Sequence, residues 1–98
     1  MRFAVLFTDK PDHGALRAAH LQAHIAWVDA HKDMVLVAGS LRSEPGATPQ
    51  GGLWVVEAES KERVLQIMAS DPFYTCGLRQ SWGVLYWSKA LEHHQVLV

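Results

Sequence analysis

The stretch MVLVAGSLRSEPGATPQGGLWVVEA, residues 34 to 58, decides the topology. Its first eight residues, Met34 to Leu41, are continuously apolar and rich in Val, the pattern of a strand covered on at least one face, with Gly39 marking a bulge or a close backbone approach. Arg42 to Gly52 holds two Pro and three Gly, which interrupt both helix and ladder and leave a loop. Gly52 to Ala58 is apolar again. Two strands thus follow one another with only a loop between them.

Working outward, Met1 to Thr8 is a short apolar strand stopped by Asp9, Lys10, Pro11 and Asp12. From about His13 to His31 the spacing turns helical, with Leu16, Leu21, Ile25, Trp27 and Val28 on one broad arc and Gln22 and Asp29 opposite. On the other side, Ser60 supplies an N-cap for a second helix, Lys61 to Ser70, which must stop there because Pro72 forces Asp71 out of the helical region. Ser81 to Ser88 is an aromatic-rich last strand. The order β-α-β-β-α-β is the split βαβ, ferredoxin-like α+β plan: a four-stranded antiparallel sheet with both helices on one face.

Ninety-eight residues make one domain. It is expected to span 1–88, with 89–98 as a tail that packs on a partner or frays. With 49% hydrophobic and 19% charged residues the chain is globular, and nine Lys and Arg against ten Asp and Glu leave no basic stripe for nucleic acid. No apolar stretch approaches the roughly 18 to 20 residues that cross a bilayer. One cysteine and no leader pattern at Met1 suggest a cytoplasmic protein.

Two helices leave one sheet face bare. Apolar residues at both strand parities, among them Phe3, Val5, Phe7, Trp54, Val56, Trp82 and Trp87, are too many to hide under them, so a homodimer through the open sheet face is expected.

Six histidines are many for this length. His20, His24 and His31 fall within about 40° of one another on the first helix, inside its apolar arc, facing inward or into a pocket. A metal is not expected: His20 and His24 are spaced i, i+4, but no Glu lies between them and nothing in ligand register completes the set. Neither phosphate-loop nor dinucleotide glycine spacing occurs, so no nucleotide cofactor is expected either. The adjacent His93 and His94 read as an exposed tail. Asp71-Pro72-Phe73 is the second constellation. In this fold the end of the second helix approaches the middle of the first, and a carboxylate in reach of an imidazole orients its tautomer and strengthens it as a base. His24 with Asp71 is the candidate dyad.

The run Leu16 to Ile25, then Val37-Ala38-Gly39-Ser40, then Ser70-Asp71-Pro72-Phe73 with Gly77 beyond it, resembles the YciI-like (YCII-related) family. These are small bacterial proteins of the dimeric α+β barrel type, and the likeness runs from the first strand to about Trp87. The family's marks are a His on the first helix, a Gly-Pro after the second strand and an Asp-Pro-aromatic segment after the second helix. His24 matches the first and Asp71-Pro72-Phe73 the third, whereas the second reads Gly39-Ser40. The resemblance implies that His24 and Asp71 are the active-site pair and that Arg17 and His20 line the same pocket. One branch of the family is similar to dehydrochlorinases acting on chlorinated hydroxyhydroquinones, and the fold is similar to that of muconolactone isomerase.

The expected function is therefore a cofactor-free and metal-free lyase or isomerase of a small compound. His24 moves the proton, Asp71 orients it, and Arg17, His20, Ser40 and Phe73 bind the substrate, with Arg17 or Ser40 on an anionic oxygen. The alternative is a non-catalytic dimeric protein that binds a small ligand through structural histidines.

Overall fold

The first strand, β1 (Arg2–Asp9), alternates its burial residue by residue, with Phe3, Val5 and Phe7 inward. It lies between two partners, β3 (Gly51–Glu57) and β4 (Arg79–Tyr86), and pairs antiparallel with both. β2 (Val35–Leu41) pairs only with β3, so the sheet order is β2-β3-β1-β4, the ferredoxin-like arrangement of the computed structural model, which describes residues 1–98. β4 starts two residues earlier than its aromatic run predicts, because Arg79 already pairs with Asp9. The ladder irregularity of β2 falls between Val35 and Val37 rather than at Gly39.

The long helix α1 (Gly14–Ala30) carries Ala at 15, 18, 19, 23, 26 and 30 and no internal Gly or Pro, so backbone propensity alone favours it. The Ser60 hydroxyl accepts the Arg63 amide at 3.1 Å and starts α2 (Lys61–Met68). The sequence reading stops the chain's helices there, yet a one-turn helix α3 (Pro72–Thr75) follows. Pro72 sits at its first position, where a missing N–H costs nothing, and Gly77, at φ 84°, closes the turn in the left-handed region.

The register assigns the faces. Phe3, Val5 and Phe7 share a face with Val56, Trp54, Val84 and Trp82, and this is the face under the helices. Five of the residues expected to overflow the helices, Phe3, Val5, Phe7, Trp54 and Val56, are in fact buried beneath them, and Trp82 lies on that same side at the edge. The open face is built from the other parity: Leu6, Val37, Leu41 and Leu85, each two-fifths or more exposed, around Ala4 and Leu53. Because the strands are apolar at both parities, alternation could not tell one face from the other. Beyond Tyr86 no regular element follows, and His93 and His94 are exposed. No helix is long and apolar enough to cross a membrane.

Candidate active site

Not one residue of α1 is fully buried. Besides the packing of Trp27 and Val28 on the core, a pair of side-chain bonds near its middle ties the helix down. His24 and Trp27, three residues apart and so on one face, reach the adjacent pair Ser70 and Asp71 at the junction of α2 and α3. The Trp27 indole donates to the Ser70 hydroxyl at 2.9 Å, and that hydroxyl donates to the Ile67 carbonyl at 2.8 Å. Trp27 also stacks on the core residue Trp54, ring centres 5.2 Å apart. One turn earlier, His24 Nδ1 lies 2.7 Å from Asp71 Oδ1.

Asp71 is wholly buried and extended, as the following proline demands. Its Oδ1 also accepts the Phe73 amide at 3.1 Å, capping α3, while Oδ2 is buried without a partner. The carboxylate accepting from the imidazole puts hydrogen on Nδ1 and leaves the lone pair of His24 on Nε2. The imidazole lies nearly parallel to the Phe73 ring, 4.0 Å from it at 12°. Capping, stacking and the hydrogen bond to Asp71 thus fix one imidazole in one orientation and one tautomer.

The dyad borders a cavity of about 490 Å³ between α1 and β2. Arg17, His24, Ser40 and Phe73 line it, with Asp71 behind the imidazole. His20 does not. It is half-buried on the flank of α1 that carries Trp27 and His31, and the cavity opens on the other flank, where Leu21, Ile25 and Val28 stand. His31 is likewise spent on structure, stacked 4.2 Å from Trp27 and bonded at 2.7 Å to its carbonyl. Asp29, expected on the polar face, lines the cavity instead, because the gap between α1 and β2 brings that flank into the site. Ser40 faces the cavity from the helix side of β2, its hydroxyl taking two bonds of 3.2 Å from Arg42. No three His, Cys, Asp or Glu side chains converge to hold a metal ion.

The sequence reading missed Asp9 and Arg79. Asp9 Oδ1 accepts Arg79 Nη1 at 2.7 Å and Oδ2 accepts Arg17 Nε at 3.2 Å. Arg79 lines the cavity, with its guanidinium 4.2 Å from the Phe7 ring centre and 5.1 Å from that of Phe73. Burial pulls the Arg79 guanidinium below its ordinary range, opposed by its bond to Asp9 and by the nearby carboxylates of Asp9 and Asp71. A signal for this pair existed: with β1 beside β4, the last residue of one stands opposite the first of the other.

The chain is thus a small α+β protein with a histidine oriented by a buried carboxylate at the mouth of a cavity between helix and sheet. The chain belongs to the YCII-related domain family, whose model matches residues 1–88. Among solved structures it is similar to the 5-chloro-2-hydroxyhydroquinone dehydrochlorinase of Burkholderia phenoliruptrix, solved in complex with 2,5-dihydroxybenzoquinone. The two are 26% identical, with 90% of this chain and 94% of that one covered at a TM-score of 0.82. An antibiotic biosynthesis monooxygenase-type protein of Bacteroides thetaiotaomicron, 14% identical, covers 98% of this chain and 94% of its own at a TM-score of 0.58, a likeness of fold alone. No curated protein matches the chain in sequence.

Proposed function

We propose that the chain is a cofactor-free lyase or isomerase of a small, ring-sized compound, similar in its chemistry to the dehydrochlorinase it resembles in fold. His24 Nε2 takes a proton from the substrate, and Asp71 stabilises the imidazolium that forms. The electron pair left behind forms a double bond. In a lyase it expels a leaving group as its anion; in an isomerase the proton returns from Nε2 to another atom. Arg17 and Ser40 meet the oxygen on which charge develops. The observation that carries this reading is the 2.7 Å bond between His24 and Asp71 at the edge of a solute-sized cavity.

His24→Ala is expected to abolish turnover of chlorinated hydroxyhydroquinones, measured as chloride release, while the far-ultraviolet circular dichroism stays unchanged. Full activity in that variant ends the proposal. A protein that returns such a compound unchanged in mass while being stabilised by it is a binder and not an enzyme.

The reading includes a homodimer closed through the open sheet face. Its support is the open face itself, where Leu6, Val37, Leu41 and Leu85 expose a contiguous apolar surface.

A further inference from the structure

Four cations line the cavity, Arg17, Lys32, Arg42 and Arg79, against one carboxylate, Asp29. Two of the four stand at the rim. Lys32 pairs with Asp29 at 3.3 Å, and Arg42 bonds Ser40 and the Ala47 carbonyl. The inner two, Arg17 and Arg79, share the single carboxylate of Asp9. Asp71 is the other buried carboxylate near them, and its Oδ1 is committed to His24 and the Phe73 amide. With Asp9 and Asp71 counted, the inner pair faces two carboxylates, of which only Asp9 bonds to it, and Arg42 at the rim has none.

The inner pair lies deeper than the rim cations, and of Arg79's donors only Nη1 is bonded, to Asp9. Arg79 retains 5% of its surface, and its Nε is buried with no partner. The faces of Phe7 and Phe73 attract both guanidiniums, Arg17 at 4.9 Å from the Phe73 centre, but a ring quadrupole cannot neutralise a charge. A guanidinium at a cavity wall with donors left unbonded attracts an anion placed there, and its planar fork suits a carboxylate or phenolate oxygen. The imidazole of His24 stacks on the same Phe73 ring, so the two guanidiniums and the base stand around one common spacer.

We propose that Arg17 and Arg79, held together by Asp9, form a subsite for one negative charge on the substrate, a carboxylate or a dissociated phenol or enol, and that Arg79 selects the ionised compound over its neutral counterpart. This deepens the reading of His24 as the base, since it says which end of the substrate lies away from the proton in transit. Asp9 is then a positioning residue that holds two guanidiniums in register and sets their combined charge to one.

The test is equilibrium titration calorimetry with 2,5-dihydroxybenzoate and its neutral amide, 2,5-dihydroxybenzamide. Neither carries a leaving group, so binding is read apart from turnover. The wild-type protein should bind the acid at least tenfold more tightly. A charge-assisted hydrogen bond is worth roughly ten- to hundredfold in affinity, so Arg79→Met should lose that factor for the acid and less than threefold for the amide. Arg79→Lys, which keeps the charge, should retain the preference at reduced affinity. Equal affinities in the wild-type protein, failure of the acid to bind at millimolar concentration, or an equal loss of both compounds in Arg79→Met overturns the proposal. The wild-type comparison decides alone if neither variant folds. His24→Ala should keep the preference, so an active His24→Ala enzyme refutes the base and leaves the subsite standing, whereas an indifferent wild-type protein with an essential His24 does the reverse.

Discussion

Replacing Asp71 by Ala and, separately, by Asn divides what this residue does for the fold from what it does for the imidazole. Alanine removes the cap of α3, worth about 1 kcal/mol, and the charged acceptor of His24, worth about 1.5–3 kcal/mol. Against this, it also removes a wholly buried carboxylate whose Oδ2 has no partner, which returns about 1–3 kcal/mol of desolvation. The net destabilisation lies between about zero and 3 kcal/mol, at roughly 4–8 °C of melting temperature per kcal/mol for a domain of this size. Asparagine keeps an oxygen that accepts from both the Phe73 amide and His24 Nδ1, so its stability should fall within about 1 kcal/mol of the parent. It lacks the charge that answers an imidazolium, and turnover should drop by roughly two to four orders of magnitude. Urea titrations at one fixed protein concentration, so that assembly does not move the midpoint, together with steady-state rates, measure both quantities. An Asn variant as unstable as the Ala variant, or one as active as the parent, refutes the division.

Other substitutions probe other joints. Trp27→Phe removes the indole N–H that binds Ser70 but keeps a ring against Trp54; it should cost about 0.5–1.5 kcal/mol in urea titration. Gly51→Ala drives a Cβ into the Phe7 carbonyl of the neighbouring strand, and the expected loss is about 3 kcal/mol or more, with faster amide hydrogen exchange along β1 and β3. Leu85→Glu, at the most exposed apolar residue of the open face, should turn a dimer into a monomer by light scattering while leaving the far-ultraviolet spectrum unchanged; an unaltered mass would place the contact elsewhere.

Much of this architecture was readable in the chain. The Pro and Gly of the loop after Leu41, the cap at Ser60 and the brake at Pro72 are local chemistry, and local chemistry survives tertiary context. The strand faces were not readable, because Ala4, Leu6, Leu53 and Val55 are as apolar as Phe3, Val5, Trp54 and Val56. His24 and Asp71 came together because topology alone brings the end of one helix to the middle of the other. His20 went astray for a reason a helical wheel cannot supply: an arc on α1 says which residues face the protein, not on which flank of that arc the gap lies. Arg79 escaped notice because it opens a strand, and buried arginines are rare enough that a charged residue there reads as a boundary.

The cavity's outer wall is β2, bonded on one side only. A change of side chain or a slipped residue in that strand disturbs a single ladder and leaves β3, β1 and β4 intact, while the dyad is carried by α1 and the start of α3 on the cavity's other wall. The two walls therefore belong to separate elements. Redesign of the pocket for a new compound should start at Leu36, Ala38 and Ser40, where errors are cheapest to the rest of the molecule.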